Sequence, residues 1–477
     1  MRKSLFIFIG LILGLNGTVA QQNWAAVPCF SIASNDYIAQ LIVNEAQNEI
    51  ILCNSWSYDI CTTKYKGIFA FNGNSFHDMD FGFDPQNPNP YFGGVSLSDV
   101  ASFGSKAIVA GGFFAVGRDT LYSKGIAEWD GSKWNKFSKP LWNNTPNWNT
   151  GGGISKMLAF NGGVYIFANY DTTGSYSTKQ IIYDGVSNTI LPTLPVTNQS
   201  AITEAIIYKN KLVVSGGFYN YPSFDYFRLA QFDGTSWQKM GAGITGNISA
   251  VQTVAIYNDT LYIGGAFPKG NGNAGNYLVK WDGNQFYDAN FSPYFCGYGA
   301  IWSLVPHRGK LYAFGNFRCA AGQTAFGVAY YQNGVWTVPQ DSIGNNSIIA
   351  AVEYKDNIYI GGGFQSINGD TTIQKFAKLL CPDFDAATGC LSGLKELTAS
   401  KIVKVFPNPT SNKLVVSTNN QVTLLNASIV NTLGQTVSIL GALNDKQELD
   451  LSEMARGVYY LKFELNQNQY YLKVLKE

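Results

Sequence analysis

Short apolar segments that end in tight-turn residues recur along most of the chain. The clearest copy is Tyr257-Asn-Asp-Thr-Leu-Tyr-Ile-Gly-Gly-Ala-Phe267, which is followed by Lys280-Trp-Asp-Gly283. A period of about 50 residues predicts a repeat architecture in which each copy is one supersecondary unit. Counting a degenerate first copy, seven aromatic residues close the copies at spacings of 47 to 57 residues: Trp56, Phe113, Tyr170, Phe218, Phe267, Phe317 and Phe364.

Each copy predicts four short strands. An apolar strand such as Ala250–Tyr257 turns at Asn258-Asp259 into Leu261–Phe267, because Asn and Asp tolerate positive φ or bond their own backbone. A variable loop then leads to a third strand that ends in an aromatic–Asp–Gly turn, and a short outer strand follows. Tryptophans mark this outer strand in three copies: Trp134, Trp237 and Trp336.

Stacking of these sheets decides the predicted fold. A lone four-stranded sheet exposes two faces, whereas radial stacking buries both faces and leaves only short edges. We therefore predict an all-β protein with a seven-bladed β-propeller over residues 21–385. The copies share a downstream Trp or Tyr and paired glycines: Gly111-Gly112, Gly216-Gly217, Gly264-Gly265 and Gly361-Gly362. In these features the repeats resemble those of kelch and galactose-oxidase-like propellers, most of which bind partners and a minority of which are enzymes.

The last copy lacks its outer strand. It ends at Phe376-Ala-Lys-Leu-Leu380, with no Asp-Gly turn and no outer tryptophan. The segment Asn23-Trp-Ala-Ala-Val-Pro28 has the pattern of the missing strand. We expect it to complete the seventh blade and so close the ring.

The repeat stops after Cys390, and the tail has a different pattern. Residues 401–477 predict about seven short strands split by Pro, Asn and Gly, enough for a small Ig-like β-sandwich, with a linker at 386–400. An adhesive Ig-like module is one interpretation. The tail contains, in this order along the chain, the segments Val405-Phe-Pro-Asn-Pro409, Ala427-Ser-Ile-Val-Asn-Thr-Leu-Gly434, Leu449-Asp-Leu-Ser452, Gly457-Val-Tyr-Tyr-Leu461 and Tyr471-Leu-Lys-Val-Leu-Lys-Glu477.

These tail segments resemble the type A C-terminal sorting domain of the type IX secretion system of Bacteroidetes. The resemblance implies that the tail binds the type IX secretion machinery. It also implies transport across the outer membrane, with the protein then released or attached to the cell surface.

The chain start supports export. Arg2 and Lys3 precede the apolar stretch Leu5–Leu15, and small residues before Gln21 form a cleavage site, so residues 1–20 predict a signal peptide. A membrane anchor is the alternative, but the stretch is shorter than the roughly 20 residues that a bilayer requires. No later segment is apolar enough to span a membrane. The formal charge of +1 gives no reason to expect a nucleic-acid partner.

The seven cysteines fit an oxidising compartment, and because the number is odd, one of them has no disulfide partner within the chain. Disulfide pairs at short range are expected between Cys53 and Cys61, Cys296 and Cys319, and Cys381 and Cys390. Cys29 is then the odd thiol, unless it pairs with Cys381 and leaves Cys390 free. None of the spacings is CxxC, so we expect no structural metal.

Signals for catalysis are few. The chain has two histidines, and His307 stands where other copies carry Phe or Tyr. No nucleophile triad, HExxH motif or phosphate-binding glycine loop is visible, and no cofactor is expected. Asp99, Lys156 and Glu204 occupy the same place at the start of the first strand in three successive copies. Asp99 and Glu204 are therefore weak catalytic candidates at the channel mouth, and a paired charge cluster is the simpler explanation.

Long aromatic loops predict the binding face. Strand direction alternates, so the connections after strands two and four share one face, and loops on a rigid scaffold are frequent binding sites. Aromatic residues suit stacking on sugar rings or docking of a protein. Together with Lys156 at the channel mouth, the candidate binding residues are Trp142, Trp148, Tyr219, Tyr221, Tyr294 and Tyr298.

The preferred hypothesis is a non-enzymatic binding propeller that is secreted or attached to the cell surface and recognises glycan or protein. The alternative is a polysaccharide-processing glycosidase or lyase that uses the channel carboxylates. A passive structural domain of the cell surface is a third possibility.

Overall fold

The computed structural model describes most of the chain between Trp24 and the C-terminus. The predicted signal peptide at 1–20 and linker at 386–400 lie outside the described residues and stay predictions. The described ranges are 24–27, 30–31, 37–60, 63–79, 96–112, 115–116, 121–122, 125–137, 153–169, 178–196, 201–219, 228–246, 250–296, 299–339, 341–344, 347–380, 403–418, 423–431, 436–465 and 468–477.

Strands make up nearly all regular structure in the described residues before position 381. A 3₁₀ turn at Lys269–Asn271 is the exception, and no described helix is long and apolar enough to cross a membrane. The strands are β1 (Trp24–Ala26), β2 (Phe30–Ser31), β3 (Gln40–Asn44), β4 (Glu49–Ile60), β5 (Thr63–Phe71), β6 (Phe76–Asp78), β7 (Ser96–Phe103), β8 (Lys106–Gly112), β9 (Ala115–Val116), β10 (Leu121–Tyr122), β11 (Ile126–Trp129), β12 (Trp134–Lys136), β13 (Gly153–Phe160), β14 (Gly163–Asn169), β15 (Thr178–Tyr183), β16 (Asn188–Ile190), β17 (Ile202–Tyr208), β18 (Lys211–Gly216), β19 (Leu229–Phe232), β20 (Trp237–Lys239), β21 (Ala250–Tyr257), β22 (Thr260–Ala266), β23 (Leu278–Trp281), β24 (Phe286–Asp288), β25 (Ile301–His307), β26 (Lys310–Gly315), β27 (Cys319–Ala320), β28 (Gln323–Thr324), β29 (Val328–Gln332), β30 (Val335–Thr337), β31 (Ile343–Gly344), β32 (Ile348–Tyr354), β33 (Asn357–Gly362), β34 (Ser366–Ile367) and β35 (Phe376–Leu379).

These strands form antiparallel sheets that follow one another along the chain. The four-stranded sheets have the orders β7-β8-β11-β12, β13-β14-β15-β16, β17-β18-β19-β20, β21-β22-β23-β24, β25-β26-β29-β30 and β32-β33-β35-β1. A five-stranded sheet precedes them, in which both β2 and β3 pair with the long strand β4, followed by β5 and β6. The described residues thus show the repeated antiparallel four-stranded sheets that the sequence predicts. Small two-stranded ribbons, β9-β10, β27-β28 and β31-β34, lie in the connections.

The first strand of each sheet contacts the first strand of the next. The contacts run from β3 through β7, β13, β17, β21, β25 and β32 and return to β3, so the sheets close into a ring. Apolar side chains from adjacent sheets share one core between them, as Tyr262 of β22 and Ile301 of β25 do. Both faces of each sheet are therefore removed from water, which is the dominant stabilising term in such a fold.

The paired glycines of the repeat allow this close packing. A Cβ atom on Gly264 would lie 3.0 Å from Ile301 of the next sheet. A Cβ on Gly265 would lie 2.0 Å from the Ala250 carbonyl oxygen, and the equivalent distance at Gly315 to Ala300 is also 2.0 Å. Real side chains do not approach a carbonyl so closely, so Gly265 and Gly315 cannot be replaced without a backbone shift, whereas a Cβ on Gly264 would make a tight contact with side chains.

The N-terminal segment closes the ring, as the sequence predicts. Strand β1 pairs antiparallel with β35, placing Trp24 opposite Leu379. The Trp24 ring is fully buried among side chains of the last two sheets, against Phe314. Its indole Nε1 donates a hydrogen bond of 3.0 Å to Asp341 Oδ2. The last sheet is therefore built from both ends of the repeat region.

The cysteine predictions are met in part. Cys296 and Cys319 form the expected disulfide, with their Cα atoms 6.1 Å apart. The prediction for Cys53 was wrong, because Cys53 is a free buried thiol. The eight residues from Cys53 to Ile60 at the end of β4 extend over roughly 20 Å, whereas a disulfide needs Cα atoms within about 7 Å. Burial raises the pKa of the Cys53 thiol to about 11. The remaining cysteines lie outside the described residues: Cys29, Cys61, Cys381 and Cys390.

The tail forms two sheets over a core of its own. Its strands are β36 (Val403–Phe406), β37 (Lys413–Thr418), β38 (Leu424–Asn431), β39 (Thr436–Leu443), β40 (Gln447–Asp450), β41 (Gly457–Leu465) and β42 (Asn468–Lys476). One sheet has the order β36-β37-β40 and the other β39-β38-β41-β42. Leu414 and Val416 of the first sheet pack with Ile429 and Leu461 of the second, so the two sheets face each other.

Ring closure predicts a strong dependence of stability on Trp24. Trp24→Ala removes a buried ring and its bond to Asp341, and should cost about 3–5 kcal/mol of unfolding free energy. Thermal and urea melts of the mature chain measure this. Val335→Ala, at an exposed strand position, is the matched control and should change the melting temperature little. Equal effects from both substitutions would contradict closure through β1.

Candidate functional site

The connections divide the ring into two faces. In the sheet β21–β24, the hairpin residues Asn258 and Asp259 have φ of 47° and 55°, the left-handed values expected of a tight two-residue turn. This turn and the connection at 282–285 lie on one side, which we call the short-turn face. The connections at 267–277 and 289–300 lie on the other side, the long-loop face. Binding loops are therefore expected on the second of these faces.

A common position near the start of the inner strands carries the charged candidates. We call the first strand of each sheet, which contacts the first strands of the neighbouring sheets, its inner strand. In six of the described inner strands the register of pairing with the second strand shifts by one residue. The residue just after the shift has the same place in every one of these strands. Asp99, Lys156 and Glu204 occupy this place, as the sequence predicts. The same position holds Thr253, Ser303 and Ala350 in the following sheets.

Side chains at this position bond to the next sheet around the ring. Asp99 Oδ2 accepts a hydrogen bond of 2.7 Å from the Met157 backbone N–H. Thr253 Oγ1 accepts the Leu304 N–H at 3.1 Å, and Ser303 Oγ accepts the Ala351 N–H at 3.1 Å. Each inner strand is a sheet edge, and its backbone N–H groups need acceptors that its own sheet does not supply. The position therefore fastens neighbouring sheets together.

Lys156 lies between the two candidate carboxylates. Its Nζ is 3.5 Å from Asp99 Oδ2 and 3.1 Å from Glu204 Oε2. Burial is the largest influence on the pKa of Lys156 and lowers it. The two carboxylates together outweigh burial, so the pKa of Lys156 is raised above its ordinary value. Burial also raises the pKa of Glu204, and the ammonium of Lys156 opposes that rise.

This geometry limits what the two carboxylates can do. Asp99 is buried and one of its oxygens is held by Met157 N–H and Lys156. Glu204 is partly accessible and lies near the start of β17, toward the long-loop face. The cluster therefore combines one partly open carboxylate with one ammonium near the start of the inner strands.

Tyr294 is the described loop aromatic with the most open position among the candidates. Its side chain is 49% exposed, and its hydroxyl donates to the Gly322 carbonyl at 3.2 Å. The nearby Cys296–Cys319 disulfide ties the loop to the next sheet's connection. Tyr219 is half-buried. Four further candidates lie outside the described residues: Trp142, Trp148, Tyr221 and Tyr298.

A shallow groove adjoins Tyr294 on the long-loop face. Its volume is about 220 Å³. Ser292 Oγ donates to the Tyr294 carbonyl at 2.8 Å, and Lys269 Nζ lies 3.0 Å from Asp288 Oδ2, so the walls are held by internal contacts. The groove is lined by Asp288, Asn290, Ser292, Pro293, Ala321 and Gly322.

Both histidines contact a glutamate. His77 lies on the outer strand β6, and its Nε2 is 3.2 Å from Glu49 Oε2. His307 ends β25, and its Nδ1 is 3.2 Å from Glu353 Oε1. The sequence did not predict the second contact, because one residue comes from each of two repeats.

The shared register of Thr253 and Ser303 with Asp99 was readable from the sequence, by counting back four residues from the aromatic that precedes each turn.

Comparison with known proteins decides the nature of the tail. Residues 404–477 match the family model of the secretion system C-terminal sorting domain. The tail is a C-terminal sorting domain. It indicates export, with the protein secreted or attached to the cell surface.

Solved structures show similarity to this chain at low sequence identity. One, described as "YCF48 bound to D1 peptide", is 11% identical with a TM-score of 0.43, covering 77% of this chain and 98% of its own. Another, described as "Structure of YjhT", is 12% identical with a TM-score of 0.33, covering 62% of this chain and 95% of its own. The curated proteins contain no match to the chain.

The charge cluster predicts a stability defect in Lys156→Met. Two carboxylates would remain at a largely buried site without their cation, which should cost about 3–5 kcal/mol at neutral pH. The raised pKa of Glu204 should rise further, so the folded variant binds a proton more tightly than the unfolded chain. The defect should therefore shrink as the pH falls through that folded-state pKa and return as the pH rises.

Urea unfolding at several pH values measures this. Lys136→Met, at an exposed strand position, is the control. Adding Glu204→Gln to Lys156→Met should restore part of the stability. A defect no larger than that of the control would show that the cluster is not an ion-paired unit.

Proposed function

We propose that this protein is a seven-bladed, kelch-like β-propeller, exported by the type IX secretion system, that binds glycan or protein through its long-loop face. Its domains would then be a propeller over residues 21–385, a linker at 386–400 and an Ig-like sorting domain at 401–477, after a signal peptide at 1–20. Export is supported by the sorting domain at the C-terminus. The blade count is supported by the closed cycle of inner strands and by the pairing of β1 with β35.

The observation that carries the binding proposal is the open Tyr294 ring beside the groove at 288–293. Aromatic rings with one polar end are frequent in sites that bind sugars and proteins, because they combine apolar area with a hydrogen-bonding group. The disulfide and the internal bonds of the loop hold this ring in place, and a preordered site loses less entropy on binding.

The channel cluster supports binding more than catalysis. A pair of catalytic carboxylates must exchange protons with a substrate, whereas Asp99 is buried and engaged by Met157 and Lys156. One observation favours the alternative, a carbohydrate-active enzyme. The pKa of Glu204 is raised by burial, as it is in general acids of glycosidases.

A glycan-array and surface-protein screen with the mature chain tests the proposal. We expect binding that Tyr294→Ala weakens by about tenfold or more, a loss of roughly 1.4 kcal/mol or greater. Tyr287→Ala is the matched control, because Tyr287 is also exposed but its hydroxyl bonds Asp282 at the short-turn face. Equal binding by both variants, or none by the wild type, would contradict the proposal.

The substitutions Asp99→Asn and Glu204→Gln distinguish the enzyme alternative from the binding proposal. Asn keeps an oxygen that can accept the Met157 N–H, so the fold should be retained. The binding proposal expects any bound polysaccharide to stay intact in wild type and both variants. Turnover by the wild type that both substitutions abolish, with binding retained, would establish the alternative.

A further inference from the structure

We propose that His307, Glu353 and Asp356 form a binding site for a divalent transition-metal ion such as Zn²⁺. The site lies on the short-turn face, away from the loops that carry the proposed ligand groove. Its residues come from two neighbouring sheets, since His307 ends β25 and Glu353 lies in β32. Asp356 is in the turn that follows β32.

The three side chains converge on one point. One ligand atom of each residue lies within 4.8 Å of the other two. The His307 residue is only 4% exposed, and its Nδ1 makes no hydrogen bond with any described atom, although Glu353 Oε1 is 3.2 Å away. A buried nitrogen without a hydrogen bond is costly unless another partner serves it.

Packing alone does not explain an imidazole at this position. Phe103 holds the equivalent place in another sheet. Tyr208 and Tyr257 hold it in two more, where each hydroxyl donates to a carbonyl of the next sheet, Asp259 at 3.0 Å and Gly309 at 2.7 Å. His307 keeps the ring but directs a nitrogen toward two carboxylates instead of one carbonyl.

The distances suit a shared metal ion. Zn²⁺ binds imidazole nitrogen at about 2.0–2.1 Å and carboxylate oxygen at about 2.0–2.2 Å, usually in tetrahedral geometry. Two such ligands therefore stand about 3.3–3.5 Å apart, close to the 3.2 Å between His307 Nδ1 and Glu353 Oε1. Glu353 is 44% exposed on its side chain, so an ion and its remaining water ligands can enter from solvent.

Arg308 orients the third ligand. Its Nε donates to Asp356 Oδ1 at 3.1 Å, and its terminal nitrogen bonds Oδ2 of the same carboxylate. Each carboxylate oxygen keeps a further lone pair for a metal, and metal-binding carboxylates are commonly held by such outer contacts. With a neutral imidazole, the two carboxylates and one guanidinium leave one net negative charge, which favours a cation.

The test is Zn²⁺ and Co²⁺ binding to the mature chain, prepared without a histidine tag, stripped with EDTA and alkylated at accessible thiols. We expect one Zn²⁺ per chain by calorimetry, a higher melting temperature with Zn²⁺, and a visible Co²⁺ absorption of a tetrahedral nitrogen and oxygen site. His307→Phe and Glu353→Gln should each weaken Zn²⁺ binding by at least about tenfold, because loss of an outer partner alone has effects of that size.

His77→Gln is the matched control. His77 also contacts a glutamate at 3.2 Å, and the substitution leaves His307 as the chain's remaining histidine, so Zn²⁺ affinity should not change. The proposal is overturned if wild type binds no Zn²⁺, or if His307→Phe and Glu353→Gln bind it as tightly as wild type. Should His307→Phe fail to fold, Glu353→Gln at the exposed side of the site decides the outcome alone.

Discussion

The inner edge of each sheet is the constraint on which the rest of the structure depends. An antiparallel sheet ends in strands whose backbone N–H and C=O groups have no partner on one side. Here the inner edges meet at the centre of the ring, where Asp99, Thr253 and Ser303 each accept a backbone N–H of the following sheet. These side chains join successive sheets, and the contact of β32 with β3 closes the ring of inner strands. The pairing of β1 with β35 supplies the outer strand of the last sheet.

The two faces of the ring differ in their connections. The short turns form hydrogen bonds between neighbouring sheets, such as the one that the Tyr257 hydroxyl donates to the Gly309 carbonyl. Their sequences are therefore restricted. Connections on the long-loop face are also tied to the next sheet near their starts, where the Trp237 and Trp336 indoles donate to the Pro192 and Ala289 carbonyls. Beyond these bonds the connections differ in length and composition. Tyr294 and its groove lie on this face, which is why we place ligand recognition there.

The fold was predictable from sequence where the chemistry is local or repeated. The Asn258-Asp259 hairpin, the paired glycines and the Trp24 strand follow from turn chemistry, close approach and a missing copy of the repeat. The shared register of Asp99, Lys156 and Glu204 was readable in the same way. The contacts between sheets were not, because they depend on how far one sheet is displaced against the next. The Met157 bond to Asp99 and the approach of His307 to Glu353 are of that kind. The error at Cys53 arose because proximity in sequence was taken for proximity in space along an extended strand.

Closure of the ring through the N-terminal strand is tested most directly by amide hydrogen exchange of the mature chain. If β1 is a full member of the last sheet, Ala25 and its partner Lys378 should exchange as slowly as the central strand β33, through global unfolding alone. Fast exchange over residues 24–26, with β33 still protected, would show that the ring holds without β1 and would contradict this account.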